Sequence, residues 1–370
     1  MSKTLSEIAE QLKAANKKVQ LIYAFNGTGK TRLSREFKQL ISPKAESDEA
    51  QPSALAAKKI LYYSAFTEDL FYWDNDLGLD AEPKLRIQPN SFTKWILEEQ
   101  GKDQSITATF QHYTSEKLTP HFSANLSSVS FSFERGNDQQ EPNIKISKGE
   151  ESNFIWSVFN ALLEQLIFEL NIVEVADRST NAFNNLEYVF IDDPVSSLDE
   201  NHLIELAVNL AGLIKSSQSD LKFIITTHNP LFYNVLFNEF SNKACYMLGR
   251  VDDSFTLTEK HGDSNKSFSY HLHLLQTIEQ AIADQKIERY HFTLLRNLYE
   301  KTAGFLGYLK WSELLPDDKQ LYYGRIINFT SHSTLSNEAM AVPTPAEQAT
   351  IKLLTDHLKS RHAFWQQREA

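Results

Sequence analysis

One cysteine, Cys245, stands in 370 residues, so no intrachain disulfide can form and no cysteine cluster can hold a metal. Nowhere does the chain approach the roughly 20 consecutive apolar residues that a membrane helix needs. The opening MSKTLSEIAEQLKAANKK lacks the apolar segment of a signal peptide. The expected home is therefore the cytoplasm, with no membrane contact. Internal repeats and low-complexity tracts are missing as well. Basic charge is in short supply: 37 Lys and Arg face 48 Asp and Glu, a net charge of −11, which argues against broad, non-specific nucleic-acid binding. A local basic site is not excluded by that balance. Between positions 286 and 310, Lys286, Arg289, Arg296, Lys301 and Lys310 stand against Glu288 and Glu300, although a solvated helix face has the same composition.

What remains is ordinary globular material, 41 % hydrophobic and 23 % charged, enough for one large domain and a smaller one. An amphipathic stretch at 5–12 predicts a helix leading into the apolar run VQLIY at 19–23, which reads as a buried strand. TRLSREFKQLI at 31–41 reads as a helix. Residues 44–58 are polar and small and read as a surface loop, and KILYYSAF as a further strand. Period-two alternation in SITATFQHY, SSVSFSFERG and PNIKISKG, between 105 and 149, predicts strands joined by turns. A long helix is expected over about 151–169, with Phe154, Val158, Ala161, Leu162 and Gln165 at helical spacing. LEYVFID at 186–192 reads as an apolar strand ending in carboxylates, followed by a helix over about 200–214 and the strand LKFIITT from 221. Composition shifts at HGDSNKSFSYHLH (261–273), beyond which the pattern is helical. The expected division is residues 1–262, a nucleotide-binding domain, and 263–370, a helical domain.

The strongest motif is AFNGTGKT, from Ala24 to Thr31, placed between a predicted strand and a predicted helix as a phosphate-binding loop requires. Gly27 and Gly29, with Asn26 and Thr28 between and beside them, let backbone N–H groups converge on phosphate oxygens. Lys30 supplies positive charge to the outer phosphates, and the Thr31 hydroxyl suits Mg²⁺. The helix N-terminus adds its dipole. Ala24 replaces the usual first glycine. In YVFIDDPVSSLDE, an apolar strand delivers Asp192 to the Mg²⁺ shell and Asp193 to the attacking water; alone, Asp-Asp-Pro would read as a surface turn. ISKGEES resembles the ABC signature, in which Ser147, Gly149 and Glu150 meet the γ-phosphate held by a second subunit. SSLD, ending in Asp199, resembles the D-loop, and His228 in FIITTHNP resembles the switch histidine. Each of the last three is weak alone. Five in the family's order, over residues 19–230, imply an α/β ABC-type P-loop ATPase domain that binds ATP or GTP with Mg²⁺ and closes as a homodimer or higher homo-oligomer. No Q-loop glutamine is evident in YYSAFTEDLF, and the interval before the signature lacks the heptad arms of SMC and Rad50 proteins.

In LLRNLYEKTAGFLGY (294–308) a helix is expected, with Leu294, Leu298, Phe305 and Tyr308 available for a core. Arg296 and Glu300 share one face, and the plain reading is an exposed ion pair contributing about 0.3–0.5 kcal/mol. The sharper reading adds Arg325 and His332 from RIINFTSHSTLS: an Arg, a Glu and a His together can cut RNA without metal, the His exchanging protons and the Arg stabilising the phosphorane. The chain as a whole resembles the bacterial anticodon nucleases of the PrrC type, through KTLSEIA, QLIYAFNGTGKTRLSREFK, the signature and Asp-Asp runs, and KHGDSNKSFSY. That resemblance implies a smaller, mainly α-helical HEPN-like nuclease domain whose catalytic residues fall on Arg296, Glu300 and His332, with Arg325 as a fourth candidate. It implies that Asp263, Ser264, Asn265, Lys266 and Ser267 read the anticodon loop of tRNA-Lys. It further implies cleavage 5′ to the wobble base, leaving a 2′,3′-cyclic phosphate and a 5′-hydroxyl, with no cofactor for that step. A type I restriction-modification complex is the implied silencing partner in anti-phage defence, and dTTP an implied regulatory ligand. The competing readings are an ABC-type ATPase of DNA repair or restriction without nuclease activity, whose C-terminal helices only bind a partner, and a pure nucleotide sensor.

Overall fold

The computed structural model describes residues 2–43, 58–64, 70–74, 82–88, 91–135, 139–194, 200–251, 254–260, 270–331 and 343–362. Contacts divide the chain into two compact units, Met1–Ser267 and Phe268–Ala370.

The first unit is built on a six-stranded sheet. Its strands are β1 (Val19–Tyr23), β2 (Ile60–Ser64), β8 (Tyr188–Asp192), β9 (Lys222–Thr227), β10 (Lys243–Val251) and β11 (Ser254–Glu259). They run in the order β11-β10-β1-β9-β8-β2. All pairings are parallel except β10 with β11. Parallel strands covered on both faces read as near-continuous apolar runs, and every residue of β1 and of β8 is buried, Gln20 with its amide donating to the Leu12 carbonyl at 2.8 Å. Helix α1 (Leu5–Ala14), capped by Thr4 and Glu7, and helix α2 (Lys30–Ile41) pack on this sheet. Leu33, Phe37 and Ile41 of α2 recur at helical spacing and are buried with Tyr188 and Phe190.

A second, antiparallel sheet orders β3 (Phe71–Asp74), β4 (Lys84–Ile87), β6 (Ser128–Arg135) and β5 (Leu118–Phe122), with β7 (Gln139–Glu141) also paired to β6. The short helix α3 (Ser91–Lys94), helix α4 (Asp103–Tyr113) and the 24-residue α5 (Lys148–Asn171) accompany it. Phe110, Phe131 and Phe154 meet there with ring centroids 5.3–5.7 Å apart. That cluster anchors the N-terminal half of α5. Helix α6 (Glu200–Ser216) and helix α7 (Pro230–Glu239) follow β8 and β9.

Two stretches expected to be strands are not. SITATFQHY lies in α4, whose buried residues are Ile106, Phe110 and Tyr113. Ile106 and Phe110 fit periods of both two and four, and the burial of Tyr113 with exposure of Ala108 is what separates a helix from a strand. PNIKISKG forms no strand: Asn143 takes a positive φ of 57°, and Ser147 already caps α5.

The second unit is helical in its described residues: α8 (Tyr270–Ala283), α9 (Tyr290–Leu306), α10 (Lys319–Ser331) and α11 (Pro345–His362). Its core gathers Leu274 and Ile278, Phe292, Leu295 and Leu298, Ile326, and Ile351, Leu354 and Leu358. The Tyr299 hydroxyl donates to the Leu354 carbonyl at 2.9 Å, tying α9 to α11. Leu298 is in the core as expected and Leu294 packs against it, whereas Phe305 is 91 % exposed and Tyr308 is also exposed. The last turn of α9 runs past its packing partners, and Gly307, at φ 79°, ends the helix. Among the described residues, no helix is long and apolar enough to cross a membrane.

Candidate functional site

Three parallel strands bring one end of the first sheet to a single level. Tyr23 of β1 pairs with Thr227 of β9, and Thr226 of β9 pairs with Asp192 of β8. The residues that follow each strand therefore converge, at the carboxyl end where open parallel sheets hold ligands.

After β1 the chain turns into the loop. The Ala24 N–H donates to the Thr227 carbonyl at 3.0 Å, and the Thr28 N–H to the Phe25 carbonyl at 3.3 Å. Gly29 precedes α2 with φ 106°, and a Cβ there would stand 3.1 Å from the Phe255 ring, so a larger residue meets both strain and a wall. The first-turn N–H groups of α2 lack intrahelical acceptors and aim at the space over the loop. Lys30 is 7 % exposed. Its ammonium donates to the carbonyls of Ala24 (3.2 Å) and Phe25 (3.3 Å) and to Asn26 Oδ1 (3.3 Å), and pairs with Asp193 at 3.4 Å.

The Thr31 hydroxyl donates to Asp192 Oδ2 at 2.8 Å, and the Thr226 hydroxyl to Asp192 Oδ1 at 2.5 Å. Burial raises the Asp192 carboxyl above its ordinary range against the pull of those two hydroxyls. One carboxylate beside one hydroxyl is a donor set suited to Mg²⁺, which takes few protein oxygens and leaves room for phosphates and water. The next residue, Asp193, has φ 52°, an unusual backbone for a non-glycine, and its N–H donates to the Thr226 carbonyl. This turn swings its carboxylate away from Asp192 towards His228. His228 Nδ1 lies 2.7 and 2.6 Å from the two Asp193 oxygens, and the His228 N–H donates to Oδ1 at 3.2 Å. Burial opposes ionisation of Asp193, but the His228 hydrogen bonds and the Lys30 charge outweigh it and hold the carboxyl below its usual range.

Ser147, Gly149 and Glu150 sit at the start of α5. Ser147 Oγ accepts from the Glu150 N–H at 3.3 Å, and Glu150 Oε2 from the Ser147 N–H at 2.7 Å, a capping box. The serine hydroxyl keeps its proton for another acceptor. Just behind, the buried Glu151 accepts from Trp73 Nε1 and pairs with Lys148, both at 2.8 Å.

In the helical unit, Arg296 Nε donates to Glu300 Oε1 at 2.8 Å, and both residues are about one-third exposed. Arg325 lies in α10, which packs against α9, and His332 falls outside the described residues. So do Asp199 and the segment from Asp263 to Ser267. Among the described residues, no group of three His, Cys, Asp or Glu side chains is placed to hold a metal.

The structure thus brings Asn26, Lys30, Thr31, Asp192, Asp193 and His228 into one contiguous network and sets Arg296 against Glu300. Sequence reasoning missed Thr226 and Thr227. Thr226 closes the second oxygen of Asp192, and the Thr227 hydroxyl lies 3.4 Å from Asp193. The signal was two hydroxyls ending an otherwise apolar strand, directly before His228.

No family profile matches the chain. Among solved structures, the SMC head domain from Thermotoga maritima overlaps 67 % of this chain and 92 % of its own, at 12 % identity and a TM-score of 0.31. An Smc head domain with an extended coiled coil from Pyrococcus furiosus overlaps 51 % of this chain and 40 % of its own, at 11 % identity and a TM-score of 0.30. Overlaps that loose carry no weight for the fold. A protein of Escherichia coli named anticodon nuclease is 67 % identical over 393 aligned positions, which cover 100 % of this chain and 99 % of that one.

Proposed function

The chain belongs to the anticodon nuclease family, and on that premise we propose that it is a nucleotide-gated endoribonuclease that cuts tRNA within the anticodon loop. The observation that carries the reading is identity at two positions in three over the full length of both chains, helical unit included. An ATPase of repair or restriction without a nuclease would share only the first unit.

In this reading the first unit is an ABC-type ATPase head. Its loop N–H groups and Lys30 take the phosphates of ATP or GTP, while Thr31 and Asp192 hold Mg²⁺. Mg²⁺ there neutralises phosphate charge. Lys30, now shared among three loop oxygens and Asp193, exchanges those partners for phosphate. Asp193, oriented by His228, polarises the attacking water. Ser147, Gly149 and Glu150 reach the phosphates of a second copy, with Asp199 at the same interface, so the nucleotide bridges a homodimer. The helical unit is the HEPN-like nuclease. Glu300 holds the Nε edge of Arg296, which presents the guanidinium to the phosphorane. His332 moves the proton between the 2′-hydroxyl and the leaving oxygen, and Arg325 assists. Asp263, Ser264, Asn265, Lys266 and Ser267 read the loop of tRNA-Lys, and the cut falls 5′ to the wobble base. Silencing by a type I restriction-modification complex and a regulatory role for dTTP belong to the same reading.

Expression in cells followed by sequencing of RNA 5′-hydroxyl ends tests it. New ends in the tRNA-Lys anticodon loop are expected for the wild type and not for His332→Ala. Wild-type expression that generates no such ends in any tRNA overturns the reading.

A further inference from the structure

At the far end of α9 from its N-terminus, a cleft opens in the helical unit. It is lined by Tyr308 just past α9, the Glu313–Asp317 stretch, Lys319 at the start of α10, and His357, Arg361 and His362 on the last turns of α11. Nothing in the catalytic reading uses it. Ten residues of α9 separate Arg296 from Leu306, about 15 Å along a helix axis.

A helix end commonly carries basic residues that only complement its dipole, and Lys359 of α11 is accounted for locally by its pairing with Glu279. The cleft residues are different. Among the described residues, Lys319 and Arg361 have no carboxylate partner, and both are exposed. His357 and His362 are half-buried beside them. Burial first, and then the neighbouring His357 and Arg361, hold His362 below its usual range. Carboxylates line the same cleft: Asp317, two residues before Lys319, and Glu313, which accepts the Lys310 N–H at 3.0 Å. Tyr308 is 44 % exposed at the rim, and Leu309 beyond it is 96 % exposed.

Cations and carboxylates lining one cleft suit a ligand that alternates anion and hydroxyl. Ribose–phosphate does this: phosphate oxygens accept from Lys and Arg, and the 2′-hydroxyl donates to a carboxylate. An exposed aromatic beside cations is the surface on which RNA-binding proteins combine stacking with charge. We infer that this cleft holds the ribose–phosphate backbone of the substrate RNA at a point outside the anticodon loop, so that the stem is gripped while the loop is cut. The inference rests on the tRNA-cleaving reading.

The test uses the full chain and three RNAs: an anticodon stem-loop, the same molecule with 2′-deoxyribose in the stem only, and a loop-only oligonucleotide. The variants are Lys319→Glu, Arg361→Glu and Asp317→Ala, each checked by thermal unfolding; Lys319→Ala and Arg361→Ala replace any charge reversal that unfolds. Steady-state cleavage separates KM from kcat, and fluorescence anisotropy measures stem-loop binding against salt. Loss of either cation should raise KM for the stem-loop about tenfold or more and leave the loop-only oligonucleotide unmoved. The log–log salt slope should fall by about 0.7–0.9 for each phosphate no longer neutralised. Deoxy stems should bind more weakly than ribose stems to wild type but not to Asp317→Ala, which has no side-chain acceptor. Unchanged KM and salt slope in both cation variants, or equal losses on loop-only RNA, overturn the cleft as a backbone site. Binding that depends on Lys319 and Arg361 without cleavage of any tRNA would instead overturn the nuclease reading and leave the cleft standing.

Discussion

Replacing Asp193 by asparagine removes one charge from the nucleotide site and almost no volume. Asparagine is as ready as aspartate to take a positive φ, so the 52° turn persists. The amide oxygen still accepts from His228, now through a neutral hydrogen bond instead of a charge-assisted one. That difference is about 1–2 kcal/mol. Lys30 loses its carboxylate 3.4 Å away but keeps the Ala24 and Phe25 carbonyls and Asn26 Oδ1. The cost there is about 1–2 kcal/mol, below the ~3–5 kcal/mol for stranding a buried charge outright. The nucleotide-free variant should therefore be less stable by about 2–4 kcal/mol, a fall in Tm of roughly 4–16 °C for a unit of this size. Nucleotide should narrow that gap. In the wild type, phosphate must displace Asp193 from Lys30; in the variant it fills a place already vacated. Thermal unfolding with and without saturating Mg-ATP or Mg-GTP measures both quantities. Phosphate release should drop by about 10²–10⁴-fold if Asp193 polarises the water. Equal melting temperatures without nucleotide, together with equal nucleotide-induced shifts, would refute the idea that Asp193 is the resting counter-charge of Lys30.

Lys30→Ala should block RNA cleavage in the full chain while the helical unit keeps its helical circular dichroism; cleavage at the wild-type rate would show that the nucleotide is not the gate. Sedimentation of Asp193→Asn with saturating nucleotide should show dimers that vanish on nucleotide removal, and a strict monomer would contradict a site completed by Ser147 and Gly149 of a second copy. Arg296→Ala should leave the helical unit folded by thermal unfolding yet reduce RNA cleavage by about two orders of magnitude or more; cleavage at the wild-type rate would remove Arg296 from the proposed site. Once the nuclease is activated, EDTA should not stop it, and a substrate with 2′-deoxyribose immediately 5′ of the scissile phosphate should resist it; cleavage of that deoxy substrate would assign the work to a metal-activated water.

The network around Lys30, Asp192 and Asp193, the proposed nucleotide site, was legible in the sequence because its parts are local. VQLIY, interrupted only by Gln20, and YVFID, ending in Asp192, are mostly apolar runs, as a parallel strand covered on both faces needs. Each ends in the residues that act, so the motif and its position arrive together. What the sequence withheld was order. That β9 lies between β1 and β8 is a fact of pairing, and only that order sets Thr226 against Asp192 and His228 against Asp193. Helix α4 was illegible for a different reason: Ile106 and Phe110, four apart, satisfy both periodicities, and the arbiter is the burial of Tyr113, a tertiary fact.

The helical unit shows the opposite balance. Its helices follow from periodicity, but its chemistry does not, since Arg296 and Glu300 four apart describe any solvated helix. The geometry sharpens this only to a well-formed pair at 2.8 Å, and a pair that exposed contributes little to stability. On the proposed reading, in a chain two-thirds identical to an anticodon nuclease over its full length, the pair matters for what it presents rather than for what it holds. Lys319 and Arg361 follow the same logic. Cations placed in a cleft without carboxylate partners among the described residues add no ion pair to the fold, and on the proposed reading the ligand that would use them is the RNA that Arg296 and Glu300, farther along α9, would help to cut.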